Sequence, residues 1–434
     1  MKVIAGVTLI LLLAFLGSRW TFTRVRLPLA ARHIYLTGTE YILIGLCLGA
    51  ALLDLLDAPT LRGLSPVLNL ALGWVGLLFG IQLELRQIKR FPAQHLQVAL
   101  TQGLVTGLVC AGGFLLLPNW IPPLPAAPPL PGTLQASTTT AALILAALAV
   151  PTAQSSLALI EQELGARQSP VMQILRYVAG MDALLGLLAL GVLFALSHEA
   201  SPLGLPPRLV PLQILGLAVG LGLLTGLVLH VLTRLQCPQE ELLLYTVGLV
   251  VFCAGAAAFL KLSPLFVTMV AGLLIANLRG QKERIGRVLV SLEKPLYLVL
   301  LLMAGARVMP AFWIGQGLAL GLAYAALRAL GKLCGGLLAS RLFRAPERLS
   351  PWLGLGLVSQ GGMAVAMVVS FHQAFFGPAA DAILVMVLLA VIVNELCSPA
   401  LARRVLPANA DGGAGGGAGN ADAGHADGQN SEAK

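Results

Sequence analysis

Apolar runs long enough to cross a lipid bilayer recur along this chain from its N-terminus to about Leu406. A helix needs roughly 18 or more mostly apolar residues to cross a hydrocarbon layer about 30 Å thick. A soluble protein would have to cover such runs with ionisable surface, yet only 11% of the 434 residues are charged and 57% are hydrophobic. Typical soluble domains have about 25% charged residues. The sequence therefore predicts an all-α polytopic membrane protein whose partner is the lipid bilayer.

Hydropathy predicts thirteen membrane-spanning helices. Their approximate ranges are 3–17, 36–53, 64–84, 95–117, 138–160, 170–196, 209–233, 239–260, 262–279, 289–308, 311–337, 351–371 and 380–402. With the N-terminus placed outside the cell, the inner loops carry eighteen Lys and Arg residues and the outer loops carry four. Basic residues concentrate in the cytoplasmic loops of membrane proteins. We therefore expect a multi-pass protein of the cell (inner) membrane, with its N-terminus outside and its C-terminus in the cytoplasm.

The segments outside the apolar runs carry no candidate chemistry. The net charge of +9 is spread over short clusters between apolar runs, which orient helices and argue against nucleic-acid binding. We expect the proline-rich stretch 118–136 to be an extended external linker and the Gly/Ala/Asp-rich tail 408–434 to be a disordered cytoplasmic segment. The six cysteines are scattered without a CxxC pair, and nothing in the sequence requires a cofactor.

Four ionisable residues lie well inside predicted helices, where each costs about 2.5–3.5 kcal/mol at a helix centre. They are Arg176 and Asp182 in helix 6, and Arg328 and Lys332 in helix 11. Asp182 lies about 18 Å from the cytoplasmic end of its helix, near the bilayer midplane. Because Arg328 and Lys332 are four residues apart, they share one helix face. An ion pair at this depth is either a structural link between two helices or a site for protons and ions. Glu395, near the inner end of helix 13, is expected to reach the membrane interface by snorkelling.

Polar, proline and glycine residues interrupt two of the predicted helices. The interruptions are Pro151, Thr152, Gln154 and Ser155 in helix 5, and Ser359, Gln360, Gly361 and Gly362 in helix 12. Such stretches are typical of the discontinuous helices of secondary transporters, where the backbone faces a cavity. The alternative is close helix packing through small residues. The two helices run in opposite directions across the membrane, which is the arrangement that an inverted repeat requires.

Several segments, taken in order, resemble the monovalent cation:proton antiporter superfamily of bacterial Na+/H+ and K+/H+ antiporters and animal exchangers. They are EYILIGLCLGA (40–50), LLFGIQLELRQIKR (77–90), ALIEQELGA (158–166), GMDALLGLLALGV (180–192), SLEKPLYLVLLLMAGARV (291–308), LRALGKLCGG (327–336) and LGLVSQGGMAVAM (355–367). The resemblance covers roughly residues 36–402, and the order and spacing of the segments make it specific.

The resemblance implies an inverted-repeat fold in which two discontinuous helices, 5 and 12, cross and a core moves against a dimerisation domain. The implied ranges are 1–94 and 238–308 for the dimerisation domain, 95–200 and 309–407 for the ion-transport core, 201–237 for a linking helix and 408–434 for the tail. It also implies a homodimer.

The same resemblance implies the roles of the site residues. Asp182 would bind the exchanged proton or a transient Na+ or K+, with Thr152 and Ser155 beside it. A basic residue of helix 11 would pair with Asp182 when no cation is bound. We favour Lys332, whose spacing from the glycines of helix 12 fits the family better, over Arg328, whose depth matches Asp182 more closely.

Two departures from the family pattern bear on stoichiometry and selectivity. Met181 precedes Asp182, where electrogenic members have Asp-Asp and many electroneutral members have Asn-Asp. A single carboxylate favours the exchange of one proton for one cation. In helix 5 the usual acidic pattern is replaced by Pro151-Thr152-Ala153-Gln154, which removes a possible second ligand. The choice between Na+ and K+ therefore stays open.

The sequence thus predicts a secondary active transporter that exchanges Na+ or K+ for protons by alternating access. Two alternatives remain open, a non-transporting ion sensor built on an antiporter scaffold and a sodium-coupled organic anion symporter. An enzyme is not expected, because the sequence has no HExxH motif, no paired aspartates and no GxSxG elbow, and its six histidines lie at helix ends, in loops or in the tail.

Overall fold

The computed structural model describes most of the chain as helices. The described residues are 2–20, 37–50, 52–116, 138–164, 169–198, 206–234, 238–278, 282–309, 316–343, 350–375 and 377–405. The predicted linker 118–136 and the predicted tail 408–434 lie outside them. Within the described ranges the only β pairing is an isolated bridge between Gly49 and Leu56. The all-α class predicted from the sequence is confirmed.

We number the main helices so that each label matches one predicted segment. They are α1 (Lys2–Trp20), α2 (Glu40–Leu48), α3 (Ser65–Gln82), α4 (Ala93–Leu116), α5a (Thr138–Ala149), α5b (Gln154–Leu164), α6 (Pro170–Leu196), α7 (Val210–Arg234), α8 (Gln239–Phe259), α9 (Pro264–Asn277), α10 (Lys282–Ala306), α11 (Gln316–Leu342), α12 (Gly362–Ala374) and α13 (Pro378–Ala402). Shorter elements are the helices Ala58–Gly63 and Leu85–Ile88 and the 3-10 turns Pro207–Leu209 and Leu353–Leu357.

Nine helical stretches in the described part of the chain are long and apolar enough to cross a membrane, judged by length and composition alone. Three shorter apolar helices, Ile4–Ser18, Pro264–Asn277 and Gly362–Ala374, accompany them. Each of the thirteen predicted segments contains a helix, but α2 is only nine residues long and the helical part of segment 12 begins at Gly362. The protein is a polytopic membrane protein, and thirteen crossings remain a prediction.

Local sequence signals explain where several helices begin. Proline is the first or second residue of α3, α6, α9 and α13, where its fixed φ suits a helix and its missing N–H costs nothing. The Ser263 hydroxyl caps α9 by accepting the Phe266 N–H at 3.2 Å. These signals lie in the short connections and therefore mark where the helices start.

Glycines allow close packing within the helix group formed by α1–α3 and α7–α10. A Cβ on Gly80 of α3 or on Gly272 of α9 would lie 2.9 Å from the Cα of the other. A Cβ on Gly305 of α10 would overlap the Ile42 carbonyl of α2. Small residues let membrane helices approach each other at backbone distance. The most extensive contacts of this group are α3 with α9, α2 with α10 and α7 with α9.

The second helix group consists of α4–α6 and α11–α13. Its largest contacts join α4 to α11, α11 to α13 and α4 to α5a. Contacts between the two groups are smaller, and the main ones join α6 to α7 and α10 to α12. This grouping resembles the expected division into a dimerisation domain and a core, which remains a prediction.

Candidate ion-binding site

The interruptions of segments 5 and 12 lie side by side. Helix α5a ends at Ala149 and α5b begins at Gln154, and Pro151 between them has no N–H to continue a helix. In segment 12 a 3-10 turn ends at Leu357, and α12 begins at Gly362. The Ala153 N–H donates to the Ser359 carbonyl at 3.2 Å, which joins the two non-helical stretches directly.

Arg328 of α11 provides donors for the carbonyl groups that these interruptions leave without helical partners. The guanidinium is fully buried. It donates to the carbonyls of Ala149 at 2.9 Å, Pro151 at 2.7 Å and Ser359 at 3.2 Å, and also to the carbonyl of Val358. Buried carbonyls need such partners, and the planar fork of an arginine can serve several at once. Arg328 therefore holds both interrupted segments together.

Lys332, one turn along α11, is the basic residue that contacts Asp182. Its Nζ lies 2.7 Å from Asp182 Oδ2, and both side chains have no exposed area. The ammonium also donates to the Val150 carbonyl at 2.6 Å and to Thr152 Oγ1 at 2.9 Å. The Thr152 hydroxyl in turn donates to Asp182 Oδ2 at 2.8 Å. A carboxylate, a hydroxyl, a carbonyl and an ammonium thus meet at the broken part of segment 5.

The second carboxylate oxygen of Asp182, Oδ1, is buried and accepts no hydrogen bond from the residues that the structure describes. Gly103 of α4 faces it, and a Cβ there would lie only 3.4 Å from Oδ1. The buried Ser359 hydroxyl also lacks a partner within the described ranges. A carboxylate oxygen that can still accept, close to hydroxyl and carbonyl oxygens, is the kind of donor set that a hard cation prefers.

Two predicted site residues lie elsewhere. Ser155 and Gln154 are exposed, so Ser155 is not part of the buried cluster around Asp182, contrary to our expectation. The next residue, Ser156, is buried instead and points to Glu395. Successive helix residues are rotated by about 100°, so neighbouring serines face different surroundings.

Gln360 is buried and donates to the Leu148 carbonyl at 3.0 Å, which ties segment 12 to α5a.

A cavity of about 290 Å³ approaches the site along α6. Its lining includes Gln82, Gln154, Arg176, Tyr177, Gly180 and Met181. The last two immediately precede Asp182 in the chain. The Arg176 side chain is 56% exposed and pairs with Glu161 at 3.3 Å, so it does not lie at the depth of Asp182 as a second buried charge. With the predicted topology this cavity opens toward the cytoplasm.

A polar and aromatic cluster that the sequence did not reveal lies near the opposite end of α6. Arg307 Nη1, just after α10, lies 3.3 Å from His372 Nδ1 of α12. His372 Nε2 lies 2.7 Å from Asp381 Oδ1 at the start of α13. Phe194 of α6 packs nearby against Phe371, with ring centroids 6.2 Å apart. These contacts join the two helix groups about 20 Å along α6 from the cavity.

The expectation that Glu395 reaches the membrane interface is wrong. Its side chain is fully buried, and Oε2 accepts the Ser156 hydroxyl at 2.7 Å. The position near the end of α13 suggested an interfacial carboxylate, but α5b and the start of α12 cover it. Its presence in an otherwise apolar helix, next to Asn394, was the only sequence signal of this burial.

Comparisons with known proteins agree with this architecture. A family model described as "Sodium/hydrogen exchanger, transmembrane" matches residues 10–403. No curated protein sequence matches the chain. A solved structure of the sodium proton antiporter MjNhaP1 from Methanocaldococcus jannaschii at pH 8 is similar in fold, with a TM-score of 0.64 and 16% sequence identity. The similarity covers 94% of this chain and 100% of that chain.

Proposed function

Since the chain belongs to the sodium/hydrogen exchanger transmembrane family, we propose that it exchanges a monovalent cation, Na+ or K+, for protons by alternating access. One observation carries the proposal. Asp182 is buried where two interrupted segments meet, with Oδ2 held by Lys332 and Thr152 and with Oδ1 free to accept. A carboxylate in this setting can be neutralised in turn by a proton, an alkali cation or an internal ammonium.

The contacts of Lys332 support a competition mechanism. Without a bound cation, the ammonium neutralises Asp182 at 2.7 Å. A cation entering from the cavity would replace it, held by the carboxylate, the Thr152 hydroxyl and carbonyl oxygens such as that of Val150. On the other side of the membrane the cation leaves and a proton binds Asp182. Carrying the bare carboxylate across apolar surface would cost several kcal/mol, so reorientation without a neutralising partner is disfavoured.

The access geometry supports opening to one side at a time. The cavity reaches Gly180 and Met181 from one end of α6, while the contact between Arg307 and His372 joins α10 to α12 near the other end. In the proposed cycle that contact breaks when the cavity closes. We propose that the core (α4–α6 and α11–α13) moves against a dimerisation domain (α1–α3 and α8–α10) in a homodimer, with α7 as the link. The single carboxylate favours exchange of one proton for one cation.

The direct test is cation-driven proton movement in everted membrane vesicles. Addition of Na+ or K+ should dissipate a preformed pH gradient in vesicles with the wild-type protein. Asp182→Asn should reduce this exchange by at least about 100-fold, because an amide has no negative charge to neutralise a cation and does not take up a proton near neutral pH. Glu84→Gln is the matched control, since Glu84 forms an equally short ion pair with Lys282, at 2.6 Å, away from the site.

Other outcomes would favour the alternative functions. Cation binding to purified protein without any flux would indicate an ion sensor. Sodium-dependent uptake of an organic anion would indicate a symporter. Wild-type rates in Asp182→Asn would remove this carboxylate from the mechanism.

A further inference from the structure

Glu395 is a second buried carboxylate that the exchange mechanism above does not use. It lies on α13 with no exposed area, and its Oε2 accepts the Ser156 hydroxyl at 2.7 Å. A Cβ on Gly361 would lie 3.7 Å from its Oε1 and 2.7 Å from the Ala153 Cβ. Glu395 is therefore packed against the junction where the two interrupted segments touch.

This junction is where two helices present their amide ends. Helix α5b begins at Gln154, and Ser156 is its third residue. Helix α12 begins at Gly362, and its capping residue Gly361 has no side chain to accept a hydrogen bond. The N-terminus of a helix carries about half a positive charge, which is most effective where solvent is excluded. A carboxylate beside the N-termini of α5b and α12 stabilises both helix ends.

The carbonyl ends at the same junction have the opposite partner. Arg328 donates to the carbonyls of Ala149 and Pro151 in segment 5 and to those of Val358 and Ser359 in segment 12. Arg328 thus binds the carbonyl ends of the interrupted segments, and Glu395 lies beside the amide ends of the helices that follow. Lys332 makes none of these four contacts, and its ammonium contacts Asp182.

We propose that Glu395 is a positioning residue whose fixed negative charge balances the amide ends of α5b and α12 and tunes proton and cation binding at Asp182. The inference rests on the proposed exchange function. Thr152, which contacts Asp182, and Ser156, which contacts Glu395, are four residues apart, so the two carboxylates contact the same short stretch of segment 5. A charge about 10 Å away inside a protein changes a binding equilibrium by about tenfold.

Several charged or titratable groups face the two carboxylates in the described structure. Lys332 and Arg328 of α11 face Asp182, and Arg328 also lies within electrostatic range of Glu395. On the side of α10, Tyr297 lies near Glu395, and its ring packs against Gly362. Glu40 and Glu293 share the surroundings of Tyr297. Because these groups remain unchanged in Glu395→Gln, the variant isolates the charge of Glu395.

The experiment compares the pH dependence and the cation affinity of exchange in proteoliposomes for the wild type, Glu395→Gln and Glu395→Asp. Removing the negative charge of Glu395 makes proton release from Asp182 easier and cation binding at Asp182 weaker. Glu395→Gln should therefore lower the pH of half-maximal exchange by about one unit and raise the apparent KM for Na+ about tenfold at alkaline pH. Glu395→Asp keeps the charge and should keep the wild-type pH profile, even if its rate falls.

A loss of rate in Glu395→Gln by the same factor at every pH would show a merely structural role and overturn the inference. If Glu395→Gln does not accumulate in the membrane, Glu395→Asp is compared with Ser156→Ala, which also retains the charge. Both should keep the pH of half-maximal exchange within about 0.3 units of wild type, and a shift of a full unit in either contradicts the inference. Absence of exchange in the wild type would instead refute the proposed function itself.

Discussion

Lys332 Nζ lies 2.7 Å from Asp182 Oδ2, and neither side chain has any exposed area. Taking two charges out of water costs several kcal/mol for each ion, and their attraction must offset that cost. The pair is therefore stable only while both partners stay charged and in contact. Any ion that neutralises Asp182 competes directly with an internal ammonium, and this competition determines most of the expected behaviour of variants.

Replacing Lys332, whose ammonium competes with cations for Asp182, should make the stability of the protein depend on added Na+. In Lys332→Met the buried carboxylate of Asp182 loses its partner, which costs about 3–5 kcal/mol of stability when Na+ is absent. Added Na+ should recover most of this loss and stabilise the variant more than it stabilises the wild type. Thermal unfolding in detergent with NaCl or choline chloride measures the difference. An equal response of both proteins to Na+ would contradict the competition.

Arg328 should not be replaceable even by lysine. One ammonium cannot donate to the four carbonyls that the guanidinium contacts, so buried acceptors stay unpaired at a cost of about 3 kcal/mol or more. We expect Arg328→Lys to give little monodisperse protein on size-exclusion chromatography. Arg176→Lys, at a side chain that is 56% exposed, is the control and should be tolerated. A well-folded, active Arg328→Lys protein would disprove the clamping role.

Substitutions at Thr152 and Ser155 should have very different effects on cation affinity, although both residues lie in the polar part of segment 5. Thr152→Val keeps the shape of the side chain and removes the hydroxyl that lies between Lys332 and Asp182. Loss of this oxygen should weaken apparent cation affinity by roughly 5- to 30-fold, or about 1–2 kcal/mol. Ser155→Ala, at an exposed position, should leave the KM unchanged. Equal effects of the two changes would argue against the observed geometry.

The 3-10 turn of segment 12 packs on α11 without room for a side chain. A Cβ on Gly354 would overlap the backbone carbonyl of Lys332. We expect Gly354→Ala to destabilise the protein by about 1–3 kcal/mol and to slow exchange, because it displaces the backbone that carries the ammonium. Gly248→Ala on α8, where a Cβ meets nothing within 4 Å, is the matched control and should be neutral or slightly stabilising. Thermal unfolding and exchange rates test both variants.

The sequence alone determined the class of the protein, the position of the buried acid Asp182 and the two interruptions. A backbone in lipid must satisfy its own hydrogen bonds, so long apolar runs dictate helices, and each proline, glycine or charge within them has an energetic cost that is visible in the sequence. Asp182, Pro151 and the glycines of segment 12 were all found in this way. The same reasoning placed Arg328 and Lys332 on one face, and only the spacing from the glycines of segment 12 favoured Lys332 as the partner of Asp182.

Only the tertiary structure decided which group meets which. Arg328 and Lys332 differ by a single helical turn, and the position of the freed carbonyls assigns one to the backbone and the other to Asp182. Ser155 and Ser156 differ by one residue, and helix rotation exposes the first and buries the second against Glu395. A sequence records the cost of burying a polar group, whereas the partner that offsets this cost lies on another helix and is specified only by the packing.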